Sequence, residues 1–84
     1  MALYLVTYDL MRPGQNYTNL FQTLQSVPHC HALQSVWFIK HPGDSSRIRD
    51  WLRPHIDAND KLFVCLITDW ASLNVACGTW LNQQ

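Results

Sequence analysis

Two stretches of this 84-residue chain are apolar on both of their alternating sides, so each must be covered from both sides once it is extended. In residues 3–10, Leu3, Leu5, Thr7 and Asp9 fall on one side, and Tyr4, Val6, Tyr8 and Leu10 on the other. In residues 61–68, Leu62, Phe63, Val64, Cys65, Leu66 and Ile67 run without a polar break. A chain of this size buries a modest share of its surface, and oligomerisation is a common supplement. Hydrophobic residues make up 48% of it, with four Trp against 14% charged residues. That surplus points to a homodimer, a Trp-rich core being the alternative.

Between the two stretches the pattern changes period. Pro13-Gly14 breaks the chain, and a helix is expected from Gln15 or Asn16 to about Ser26, with Tyr17, Leu20, Phe21, Leu24 and Val27 on one side. Pro28 stops it, and His29-Cys30-His31 reads as a short loop. Residues 33–41 are extended and rich in β-branched and aromatic types, with room for a bend or bulge near Ser35-Val36 that would split them into two strands. Asp44 or Ser45 caps a second helix over roughly 46–56, with Ile48, Leu52 and Ile56 inward and Pro54 kinking or ending it early. Asp57-Ala58-Asn59-Asp60 is a turn. Asp69 caps a last helix with a stripe of Trp70, Leu73, Ala76, Cys77, Trp80 and Leu81, which Gly78 weakens. The order β-α-β(β)-α-β-α makes one α/β domain, an α+β sandwich over residues 1–84, with the first two helices on one sheet face. The other face is left to the C-terminal helix, a second protomer, or both.

Composition narrows the function. The formal net charge is zero, so no global basic field announces nucleic acid. Arg47, Arg49 and Arg53 cluster, with Lys40, His41 and His55 nearby, but Asp44 and Asp50 interleave and favour a solvated, salt-linked face. Cys30, Cys65 and Cys77 are odd in number and lack CxxC spacing; Cys65 and Cys77 read as small buried hydrophobes, which suggests a reducing, cytoplasmic setting. No apolar run reaches the ~18 residues of a membrane span. His29, Cys30 and His31 are zinc-ligand types at the wrong spacing, since neighbours along a strand point to opposite faces.

Asp9 is the exception in its stretch. A carboxylate where a first strand ends is costly to bury unless it is paired, hydrogen-bonded or holding a metal. It is a candidate magnesium ligand, and the structural alternative is that it accepts backbone hydrogen bonds from the turn at 11–16. Arg12 can grip a phosphate or pair with Asp9. Asn16, with Tyr17, stands at a helix start, where backbone N–H groups favour anions, although Asn there is more often a cap. Ser35 can hydrogen-bond near Asp9, and Trp37 fits a core or interface better than base stacking.

These residues resemble a known family. Tyr8-Asp9 looks like the Tyr-Asp that ends the first strand of Cas2, the small CRISPR-associated protein. Gln34-Ser35-Val36-Trp37-Phe38 resembles Cas2's Gln-Tyr-Ser-Val-Phe strand with one residue missing, and Ile56-Asp57 matches its layout before the last strand. Closer still is a group of short bacterial proteins labelled SinR-like. Their Tyr-Asp-Leu…Pro-Gly-Gln-Asn-Tyr motif is matched by Tyr8-Asp9-Leu10 and Pro13-Gly14-Gln15-Asn16-Tyr17, and their Leu-x-Ser-x-Trp strand by 33–37.

The likeness runs through residues 3–68. It implies a ferredoxin-like β-α-β-β-α-β protomer, here with an added C-terminal helix, in a two-fold dimer that brings two Asp9 residues together. It implies a magnesium- or manganese-dependent endonuclease acting on RNA or DNA, or a nucleic-acid-associated protein, toxin-like or defence-related. Asp9 is then the catalytic residue and metal ligand, with Tyr8, Arg12, Asn16 and Ser35 against the substrate. Neutral charge and a C-terminal helix depart from Cas2. The alternative is a catalytically inactive dimeric module that binds a protein or a nucleotide.

Overall fold

The computed structural model describes residues 1–11 and 17–84. Four strands, β1 (Ala2–Asp9), β2 (His29–Leu33), β3 (Val36–His41) and β4 (Lys61–Leu66), form one antiparallel sheet in the order β2-β3-β1-β4. The helices are α1 (Thr18–Gln25), α2 (Ser45–Leu52), which runs into a 3-10 turn at Arg53–His55, and the short α3 (Gly78–Asn82). β1 pairs with both β3 and β4. β1 and β2 are thus parallel with β3 between them, and β3 and β4 are parallel with β1 between them. Each pair is joined by a helix, so the two helical connections interlock.

The alternation of β1 decides what the helices cover. Tyr4, Val6 and Tyr8 are buried with Trp37 and Ile39 of β3, beneath Leu20 and Leu24 of α1 and Ile48 and Leu52 of α2. Phe21, Val27, Trp51, Ile56, Leu62 and Val64 pack at the edge of this core. It lies wholly on one sheet face, and no residue after β4 belongs to it.

β2 and β3 are a hairpin closed by Gln34-Ser35, with an irregularity in register between His31 and Leu33. The expected split near Ser35-Val36 is therefore present, but the expected loop at 29–31 is strand. The reason lies in their neighbours: His29 and His31 face Trp37, the His31 ring stacking on the indole at 4.0 Å. Cross-strand aromatic packing holds a segment whose own propensities are weak. α2 starts as expected: Asp44 is its N-cap, its carboxylate accepting from the Arg47 N–H at 2.9 Å.

The expected last helix is mostly absent. Residues 67–77 are irregular, and Asn74 has φ 61°, outside the right-handed helical region. Leu73, expected on the inner stripe, is 83% exposed. Trp70, Val75 and Leu81 lie instead over Leu5, Leu33, Val36 and Phe38, on the sheet face away from α1 and α2. Cys77 is fully buried, as expected of a small hydrophobe, but it is joined to Cys30 of β2 by a disulfide; Cys65 remains free. No described helix is long and apolar enough to cross a membrane.

The β3–α2 turn turns on one imidazole. The Gly43 N–H donates to His41 Nδ1 at 2.8 Å, and the Gly43 carbonyl accepts from the Tyr4 hydroxyl at 2.8 Å. A Cβ on Gly43 would stand 3.1 Å from both the His41 ring and the Arg47 Cβ, so a larger residue there would push one of them aside by a few tenths of an ångström. Burial, with the ring set against Trp51, pushes the His41 pKa down. The unfolded chain then takes up the proton first. This contribution is complete above the ordinary value near ~6.5 and is lost as pH falls toward the lower folded value. The urea midpoint of the wild type is expected to fall more between pH 7 and pH 5 than that of His41→Gln. Equal falls would contradict this role.

Candidate functional site

Tyr8, Asp9 and Ser35 converge where β1 ends. Together with Leu10, Phe21 and Gln34 they line a cleft of about 370 Å³. A second cleft, of about 300 Å³, lies on the other side of Asp9 against Lys61, Leu62 and Phe63. Of the other expected site residues, Arg12 and Asn16 lie outside the described residues.

Tyr8 is held from three directions. Its N–H donates to the Ser35 carbonyl at 3.3 Å, its hydroxyl accepts the Trp37 indole N–H at 3.0 Å, and the same hydroxyl donates more weakly to the Gln34 carbonyl at 3.4 Å. Desolvation pushes the phenol pKa up, and the Trp37 hydrogen bond opposes it in part. Tyr8 is therefore a neutral hydroxyl that pins the β2–β3 turn to the end of β1. Trp37 is 1% exposed and belongs to the core, as its position in the pattern suggested.

The turn after β1 is secured by another carboxylate. Asp60, in the turn before β4, accepts the Met11 N–H at 2.7 Å and the Asp57 N–H at 2.7 Å, and the Tyr17 hydroxyl reaches both of its oxygens at 2.9 and 3.1 Å. One side chain thus ties together the exit of β1, the start of α1 and the entry to β4. The sequence marks Asp60 as a turn residue, but its partners at Met11 and Tyr17 lie 49 and 43 positions away, and no local pattern announces them.

Asp9 is exposed, and among the described residues its carboxylate has neither a hydrogen bond nor an ion pair. The structural alternative for it, backbone hydrogen bonds from the turn at 11–16, falls mostly on residues outside the described ones; of that turn, the Met11 N–H goes to Asp60. Lys61 is the partner of Asp9 in register on β4.

The metal expectation can be weighed on this donor set. Among the described residues no group of three or more His, Cys, Asp or Glu side chains is placed to hold a metal ion. One protomer offers Asp9 alone, with an ammonium group on the neighbouring strand. Asp9 fits a divalent cation only as half of a shared site, since magnesium accepts one or two carboxylates completed by water and phosphate oxygens. The Cys30 sulfur, a zinc-ligand type, is taken by Cys77. On α2, Arg49 pairs with Asp50 at 3.0 Å, both side chains more than half exposed, in keeping with a solvated face.

No family model matches the chain, and comparison with curated proteins and with solved structures gives no match. The functional reading rests on the geometry and on the sequence motifs.

Two carboxylates near one loop therefore have opposite tasks. Asp60→Ala leaves two backbone N–H groups and a phenol without their acceptor, and is expected to cost about 2–3 kcal/mol in urea unfolding. Asp9→Ala is expected to stay within ~0.5 kcal/mol of the wild type. Equal losses in the two variants would contradict this division.

Proposed function

We propose that the chain is a ferredoxin-like protomer of Cas2 type that works as a cytoplasmic homodimer on nucleic acid, with Asp9 of each copy as the functional carboxylate. The β-α-β-β-α-β order with two interlocked helical connections supports the fold part of this reading. Phe63, 63% exposed on the face away from the helices, supports a second copy.

The observation that carries the functional part is that, among the described residues, the Asp9 carboxylate has no partner. It ends β1 exposed between two clefts, while the nearby Met11 N–H goes to Asp60. A carboxylate kept at a strand exit without a partner is available for binding or chemistry. Paired across a two-fold axis, the Asp9 residues would hold magnesium or manganese, which supplies an activated water for phosphodiester hydrolysis. The pinned Tyr8 and the nearby Ser35 would then border the substrate.

A second reading is a catalytically inactive dimeric module that binds a nucleotide or a protein. The single carboxylate per protomer, with Lys61 across from it, favours this alternative.

Cleavage of short RNA and DNA with Mg²⁺ or Mn²⁺, with Asp9→Ala at matched dimer content, separates the two. The first reading expects metal-dependent cleavage that falls at least a hundredfold in Asp9→Ala. No cleavage, or equal cleavage by both proteins, overturns it in favour of the binding module.

A further inference from the structure

The face of the sheet away from α1 and α2 has a cover of its own. Residues 67–84 cross it, setting Trp70, Val75 and Leu81 over Leu5, Leu33, Val36 and Phe38 around an apolar cavity of about 200 Å³. Three observations mark this cover as separable. None of its residues belongs to the main core. Its backbone is irregular over residues 67–77 and regular only in α3. Beyond its continuation from β4, where the Ile67 N–H still donates to the Leu3 carbonyl, its one covalent tie to the sheet is the Cys30–Cys77 bond, which reaches back 47 positions to the edge strand β2.

We infer that residues 67–84 are a strap latched by this disulfide, and that reduction frees the sheet face for a second copy of the chain. The inference rests on the homodimer proposed above and gives it a control. In the cytoplasmic setting of that reading, disulfides are typically transient or redox-sensing. A dithiol reductant supplies the two electrons. Its thiolate attacks the Cys30 sulfur, because Cys30 is half-buried and Cys77 fully buried, and Cys77 leaves as the thiol. The reductant's second thiol resolves the mixed disulfide, so the products are two protein thiols and one oxidised reductant.

A second copy is the occupant that suits the uncovered surface. With the strap lifted, Val36, Phe38 and Leu5 join Leu33 and Phe63, which are exposed already, in one face across β2, β3, β1 and β4. A two-fold interface sets the same patch of both copies against each other, so the apolar face of one copy would meet that of the other. The chain's zero net charge opposes their meeting with no long-range repulsion.

The test uses the intact protein, oxidised and then treated with dithiothreitol until mass spectrometry counts three free thiols. Sedimentation velocity, chymotrypsin digestion and amide hydrogen exchange are read on both forms. Oxidised protein is expected to be monomeric, with slow cleavage after Trp80. Reduced protein is expected to show cleavage there at least tenfold faster, a dimer at the same concentration, and slow exchange kept in β1. Full reduction with unchanged cleavage after Trp80 overturns the latch, and the sedimentation data then judge the dimer independently. Faster cleavage with a monomer overturns the second copy as occupant. Loss of slow exchange in β1 overturns the strap, because the disulfide would then be holding the whole fold. Cys77→Ser, which cannot form the bond, must behave as the reduced wild type.

Discussion

The carboxylate of Asp60 organises the end of the sheet where the functional residues gather. It accepts from Met11, Asp57 and Tyr17, and so adds side-chain ties between the exit of β1, the entry of β4, which the sheet pairing already brings together, and the start of α1. Hydrogen bonds to an ionised acceptor are among the stronger ones available to a protein, and these bonds lie within reach of solvent, where the carboxylate remains partly hydrated. β1 itself ends in a second carboxylate, Asp9, which has no side-chain partner among the described residues.

The sheet distributes its two faces unequally. One carries a continuous core from Tyr4 to Ile39 under two amphipathic helices, and most of the chain's fully buried residues are there. The other is half covered by a segment with little regular structure, and leaves Phe63 of β4 open. For 84 residues this is a sensible economy of size: there are not enough helices to cover both sides. A disulfide and a partner surface are two established ways in which small domains make up the difference.

Much of the fold could be read from periodicity. The double-sided apolar runs gave β1 and β4, and the stripes through Leu20 and Leu24 and through Ile48 and Leu52 gave α1 and α2. The misses share a physical cause. His29 and His31 are strand residues because Trp37 lies beside them across the hairpin, and no local propensity reports that. The stripe from Trp70 to Leu81 is apolar because it lies on a sheet, so helical spacing misread its partner, and the left-handed Asn74 breaks the helix that spacing implied. The Cys30–Cys77 bond and the Met11–Asp60 contact join distant positions, which one sequence cannot pair. Of the candidate site, Tyr8, Asp9 and Ser35 were legible together because the strand order brings the end of β1 to the β2–β3 turn.

In the proposed dimer, the Asp9 carboxylate, unpartnered among the described residues, is completed by its twin. The most direct measurement is the separation of the two Asp9 carboxylates in a crystal structure of the dimer. The account predicts ~4–6 Å, close enough for the pair to couple and share a cation. A separation well beyond the Debye length of ~8 Å at physiological salt, or a dimer formed through α1 and α2, would contradict it.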